Sequence, residues 1–161
     1  MPNLEIRVER PDHPGVASLL VELDAYLSQL YAPEDNHILD VQALRAPDVT
    51  LLAASLDGVL VGCGAVRRMP AEAATEGAPY AEIKRMFVLP RARGQGIAGR
   101  LLARLEAIAA AQGRSRFLLE TGRDQLAALR VYERGGYLRR GPFGGYPDNG
   151  LSLFYEKRLA A

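Results

Sequence analysis

The chain is short of what several large classes of protein need. Its single cysteine, Cys63, among 161 residues excludes an intrachain disulfide and fits a reducing cytoplasm. Cys63 lies in the apolar run VLVGCGAV, where the simplest reading is a small core residue. No stretch approaches the ~18 consecutive apolar residues of a membrane span. The opening MPNLEIRVER is charged from its start and lacks the apolar segment of a secretion signal. A cytoplasmic protein with no membrane partner is therefore expected. Neither sign of charge is in excess. Twenty Lys and Arg face 19 Asp and Glu, a net charge of +1, so bulk electrostatics gives no reason to expect nucleic acid as a partner.

What is present suits one domain over residues 1–161. Hydrophobic residues make up 48% and charged residues 24%, ordinary values for a chain long enough to bury its own core. LEIRVE (4–9) alternates as a half-buried strand does. Pro11, Asp12 and Pro14 mark a helix start, and Leu19, Leu20, Leu23, Leu27 and Leu30 recur at helical spacing to about Tyr31. A second short helix is read over 38–45, stopping before Pro47. VTLLAASL (49–56) and VLVGCGAVRRM (59–69) flank Asp57-Gly58, a strong hairpin signal. After a loop at 70–79, YAEIKRMFVL (80–89) reads as a strand whose alternation fails at Met86–Val88, as at a bulge. Ile97, Leu101, Leu102, Leu105, Ile108 and Ala109 then line a helical face that ends at Gln112-Gly113. FLLET (117–121) is a buried strand, and a helix of about ten residues holds Leu126, Leu129, Arg130 and Tyr132. YLRR (137–140) and LSLFYEKRL (151–159) are the last strands. The order β-α-α-β-β-β-α-β-α-β-β predicts an α/β (α+β) domain, a mixed sheet covered by helices.

The central motif is LPRARGQGIAGRLL (89–102), in which Gly94, Gly96 and Gly99 spell G-x-G-x-x-G. A glycine turn that opens a helix binds phosphate, because free N–H groups and the positive helix end face the anion. A nicotinamide dinucleotide is one candidate, with Glu120 closing the next strand where a ribose-binding carboxylate would lie. Three features oppose it. PRAR separates the strand from Gly94, one further helix follows rather than a second βαβ half, and an antiparallel hairpin precedes the motif.

Read instead as Arg91-x-x-Gly94-x-Gly96, with the strand before it and the strand–helix pair after it, the chain resembles the GCN5-related N-acetyltransferases (GNAT family). The likeness in element order runs over nearly the whole chain. It is densest in EIKRMFVLPRARGQGIAGRLL, and a second match is QLAALRVYERGGY (125–137), with Ala128, Val131, Tyr132, Glu133, Gly136 and Tyr137 on the family pattern. Gln125 stands where the family often has Asn, keeping the amide on a longer stem. The resemblance implies a GNAT-like acyl-CoA N-acyltransferase fold, with a mostly antiparallel sheet splayed at the central strand and about four flanking helices. It also implies acetyl-CoA as co-substrate, no metal, and transfer to a primary amine by direct attack in a ternary complex. The N–H groups of Arg93, Gly94, Gln95, Gly96, Ile97 and Ala98 would wrap the diphosphate, with Arg91 and Gln125 as further contacts. The N–H of Phe87 or Val88 would polarise the thioester carbonyl. Tyr132 would protonate the departing thiolate and Glu82 would take the proton of the amine, with His37 as the alternative base.

The acceptor is a small-molecule or peptide amine, and its walls are expected in YAPEDN (31–36) and FGGYPDNG (143–150). Glu34, Asp35 and Asp148 would attract a cationic amine, Tyr146 would pack on it, and Arg45 would hold a carboxylate. Two other classes stay open at this stage. One is a non-catalytic acyl-CoA sensor on the same fold. The other is a nucleic-acid module using Lys84, Arg85, Arg91, Arg93, Arg100 and Arg104, a run with no acid from Ile83 to Leu105. Oligomeric state is open too, a homodimer included.

Overall fold

Seven strands form one sheet in the order β1-β2-β3-β4-β5-β7-β6. The structure is a computed structural model that describes residues 2–35 and 40–160. The strands are β1 (Leu4–Val8), β2 (Val49–Leu56), β3 (Val59–Met69), β4 (Tyr80–Val88), β5 (Arg116–Gly122), β6 (Leu138–Arg140) and β7 (Ser152–Arg158). The helices are α1 (Pro14–Leu30), α2 (Val41–Leu44), α3 (Ile97–Ala111) and α4 (Leu126–Arg134). All pairings are antiparallel except that of β4 with β5. The element order is the one the periodicities predict.

Local chemistry explains the boundaries. Asp57 and Gly58 both take positive φ, +49° and +84°, the left-handed pair a tight hairpin needs. His13 caps α1, its Nδ1 accepting from the Gly15 N–H at 3.1 Å, and Pro14 occupies the first turn, where no N–H is missed. Val16, Leu19, Leu20 and Leu23 are buried, while Leu30 at the far end is 36% exposed. α2 is shorter than the predicted 38–45. Asp40 accepts from the Ala43 N–H at 2.8 Å and starts it at Val41; residues 36–39 lie outside the described segment. On α3, Ile97, Leu101, Leu102, Leu105 and Ala109 are buried, and Ile108 is half-buried.

The predicted irregularity in β4 is present, one residue earlier than expected. Cys63 pairs with Phe87 but Ala65 pairs with Lys84, so Arg85 and Met86 together face Gly64 across the ladder. Arg85 has φ +59°, which turns the strand. Gly64 leaves room for the extra residue, since a Cβ there would lie 2.4 Å from Met86 Sδ and 3.1 Å from Leu105 Cδ1. On its other edge β4 pairs with β5 only at Ala81–Phe117 and Glu82–Leu118. Beyond Glu82 the two strands part, whereas β5 stays paired with β7 to Gly122.

The far end of the sheet is tied by charge. Glu156 accepts from Arg116 Nε at 2.9 Å, from Arg158 Nε at 2.5 Å and from Arg140. Arg116 and Arg140 also donate to the carbonyls of Thr75 and Ala74, at 2.6 and 2.7 Å. These contacts fasten the loop before β4 to β5, β6 and β7. Removing one member of a buried ion cluster leaves its partners' charge uncompensated. Glu156→Gln should therefore lower unfolding free energy by about 3–5 kcal/mol, measured by urea denaturation.

Candidate active site

Pro90 ends β4, and a single 3-10 turn, Pro90–Ala92, leads into the glycine segment. Gly94 and Gly96 adopt φ of +81° and +77° with open space where a Cβ would be. Their need for glycine is thus conformational rather than steric. Gly96 is the N-cap of α3 and offers no side chain. The first helical hydrogen bond is that of the Arg100 N–H to Gly96 O, at 3.1 Å. The six N–H groups from Gly94 to Gly99 donate to no protein atom among the described residues. An unsatisfied run at a helix start, next to exposed Arg91 and Arg100, has the chemistry to seat an anion. It begins one residue later than the sequence predicts, because the Arg93 N–H is bound to Pro90 O at 3.2 Å. The Arg93 side chain also turns inward, Nε donating to Val88 O at 2.9 Å with the guanidinium over the Phe87 ring at 6.0 Å. Arg93 thus ties the turn to the strand. Gln95 Nε2 donates back to Ala92 O at 3.3 Å.

The strand edge points the same way. The Leu89 N–H donates to Val61 O at 2.8 Å. Alternation in an antiparallel ladder then makes Phe87–Cys63 a hydrogen-bonded pair and Val88–Gly62 a non-bonded one. The Phe87 N–H is directed at β3. The Val88 N–H is directed away from β3, into the gap that β5 has left.

A cavity lies between α1, β4 and β5, lined on β4 by residues 82–86 but not by Val88, and also by Gln125 and Tyr132 of the α4 region and Ser152 of β7. Glu82, the expected base, is 4% exposed. Its Oε2 accepts from Lys84 Nζ at 3.1 Å and from Tyr146 Oη at 2.5 Å, and Lys84 also donates to Tyr146 Oη at 2.7 Å. Its Oε1 has no hydrogen bond among the described residues. Tyr146 is therefore held by the carboxylate rather than standing free as a wall. Burial first, then the Glu82 charge, pushes its phenol well above the usual tyrosine range. Tyr132 is buried beside Tyr137 and Tyr155, with ring centroids 6.1 and 6.4 Å away. Burial, and then the charge of Glu120, raise its pKa, so it keeps its proton throughout the neutral range.

The other candidates scatter. Asp35 reaches the cavity and accepts from Asn149 Nδ2 at 3.4 Å. Glu34 and Asp148 are exposed and do not line it. Arg45 lies elsewhere, in a groove with Val8, Pro11 and Leu51 beside β1 and β2, because α2 ends at Leu44 and directs the chain to that edge. His37 falls outside the described residues, and His13 is a helix cap. The cavity also contains Tyr31, which opens the expected wall at 31–36, and two groups the sequence offered only for other roles: Arg85, read as part of a basic run, and Glu120, bound by Ser152 Oγ at 2.7 Å. One of these has a local sign, since a Cβ at Gly122 would fall 1.8 Å from Tyr31 Oη.

Comparison with known proteins agrees with this geometry. The family model described as Acetyltransferase (GNAT) family matches residues 16–137. An IAA acetyltransferase of Azospirillum brasilense is 48% identical over 159 residues, 99% of this chain and all of the relative. Among solved structures, a provisionally assigned acyl-CoA N-acyltransferase from Klebsiella pneumoniae is 35% identical with a TM-score of 0.77, covering 98% of both chains. The PaiA N-acetyltransferase of Thermoplasma acidophilum, solved in complex with coenzyme A, shares the fold at TM-score 0.71 and 18% identity, over 98% of this chain and 99% of that one. The glycine turn supplies a direct test. Gly96→Ala keeps every neighbour at a distance but forces a Cβ into left-handed backbone, so it should cost about 1–2 kcal/mol of stability and weaken anion binding at the turn, both read by thermal shift with and without coenzyme A.

Proposed function

The chain belongs to the acetyltransferase (GNAT) family, and from that premise we propose that it is an acetyl-CoA-dependent N-acetyltransferase acting on a primary amine by direct attack. The observation that carries this reading is the juxtaposition of six unused N–H groups at 94–99 with a strand whose Val88 N–H faces an unpaired gap. The residues present fit the co-substrate. The exposed glycine turn can take a diphosphate, and an extended arm can lie along the open edge of β4 as an added strand would. Bound there, acetyl-CoA supplies an activated acyl group on a thiolate leaving group.

The chain's own groups divide the remaining work. The Val88 N–H is a fixed dipole for an oxygen that gains charge, a role worth ~2.7–4 kcal/mol where single donors have been removed. Glu82 Oε1 takes a proton from the acceptor amine, while Lys84 and Tyr146 hold the other oxygen and so orient the carboxylate. Tyr132 donates its O–H toward the sulfur. Its raised pKa keeps the donor in place but makes full transfer uphill to a thiolate of pKa ~8.5, so the proton moves as the sulfur leaves. Arg93 keeps the turn and the strand end in register.

Calorimetry should show uptake of acetyl-CoA and none of NAD(H), and an amine panel should release thiol. Binding without turnover on any amine would support a sensor instead. Tyr132→Phe should lower kcat by about 10²–10⁴-fold with the KM for acetyl-CoA little changed. An unchanged kcat removes Tyr132 as the acid. Because the folded pKa of Tyr132 lies above its ordinary ~10, the wild-type rate should show no loss from this phenol as pH rises to about 10. Glu82→Gln should lower kcat by about 10²-fold or more, read by the same thiol-release assay.

A further inference from the structure

Arg85 is the cleft residue for which the proposed chemistry has no use. Its side chain is 4% exposed, and its backbone sits at φ +59°, which residues with a Cβ rarely adopt. Nη1 donates to Asp24 Oδ1 at 2.7 Å. Asp24 is itself 47% exposed, so the counter-charge of a buried cation lies half in water. Among the described residues, Nε is buried without a hydrogen-bond partner, and Nη2 has none either. A strained backbone and an orphaned donor on one residue cost stability. Their coincidence in a residue that lines the cavity points to a ligand.

The free edge defines that ligand's chemistry. Nε and Nη2 present two parallel N–H groups, the side-on fork that matches the two oxygens of a carboxylate. Asp24 occupies the other end of the guanidinium and leaves this edge unpaired. Position separates the acceptor from the co-substrate. None of the residues 94–99, whose amides are unused, lines the cavity that Arg85 lines. Arg85 turns instead to Asp24 of α1 and into the cavity that holds Glu82. Glu82 lines the same cavity, so a small molecule anchored at Arg85 by its carboxylate would lie in the space that Glu82 also borders. Resting on the acetyltransferase reading above, we infer that Arg85 receives the carboxylate of the acceptor. The preferred acceptors are then amino acids, or other amines with a carboxylate close to the amine. The sequence suggested Arg45 for this task, but Arg45 lies in the other groove.

The test compares amino acids with their primary amides and with the decarboxylated amines, at saturating acetyl-CoA. The wild-type protein should favour the carboxylates by about 10–100-fold in kcat/KM, the size of a hydrogen bond to a charged group, chiefly through the acceptor KM. Arg85→Gln should erase that preference, with the loss falling far more on the carboxylates than on the amides or on the KM for acetyl-CoA. Arg85→Lys should keep part of it. Titration calorimetry on the coenzyme A-bound protein should show the same order of affinities without turnover. The wild-type panel and titration need no variant, so a misfolded Arg85→Gln does not rescue the idea. Equal use of amides and acids by the wild type overturns it and leaves the acetyltransferase reading standing. So does an Arg85→Gln defect that falls on acetyl-CoA or on all acceptors alike. Absence of transfer to every amine, with no binding of carboxylates, overturns both.

Discussion

An interrupted ladder governs this molecule. β4 and β5 pair over two residues and then separate, leaving an unpaired strand edge in the middle of a sheet. Such an edge is normally a liability, because buried main-chain groups demand partners. Here the edge is bordered by a glycine turn with its own unused N–H groups, so a single elongated ligand can satisfy both. Fold and site are the same feature seen at two scales.

The separation needs support from each side, and different forces supply it. On the β4 side, the extra residue at Arg85–Met86 is absorbed by the vacancy at Gly64, and Arg85 is tied to α1 by Asp24. On the β5 side, the continuous ladder with β7 and the cluster around Glu156 keep the strand from following β4. Tyr31 fills the space beside Gly122, where any side chain would collide with it. Its hydroxyl accepts from the Asp124 N–H at 3.2 Å, which sets the entry to α4 and hence the place of Tyr132.

Element order was readable from the chain because it is written in periodicity: alternation in β1, a 3.6-residue repeat in α1 and α3, and Asp57-Gly58 at the hairpin. The glycine turn was readable because left-handed backbone at a helix start selects for glycine. Arg85 could not be read, since a left-handed arginine leaves no mark in composition or spacing. The Glu82–Tyr146 hydrogen bond joins residues 64 positions apart, and only the packing of Phe143, Phe154 and Tyr146 brings them together. Arg45 was misplaced for a related reason. A loop residue's neighbours are set by where the following strand enters the sheet, and nothing near Arg45 in sequence reports that. Arg93 was assigned to the anion through its N–H, but a 3-10 turn uses that group locally, a detail one residue in size.

The cleft chemistry also bears on how an acyl group would travel. A covalent route needs a nucleophile that can be deprotonated. Cys63, the one thiol, is fully buried, donates to Arg85 O at 3.5 Å, and burial pushes its pKa up to about 12. A thiol so placed is inert at neutral pH. Ser152 Oγ is bound to Glu120, and no described histidine lines the cavity to activate it. What the cavity does hold is a carboxylate oxygen without a partner among the described residues and a protonated phenol on a different element. On the proposed reading, those two groups would serve a reaction in which one proton leaves the amine and another reaches the sulfur, with no acyl group resting on the protein between them. The same reasoning explains why two carboxylates, Glu82 and Glu120, can share the cleft. Lys84 supplies a counter-charge to the first, while the second raises the pKa of Tyr132 and so helps keep the proton on the acid.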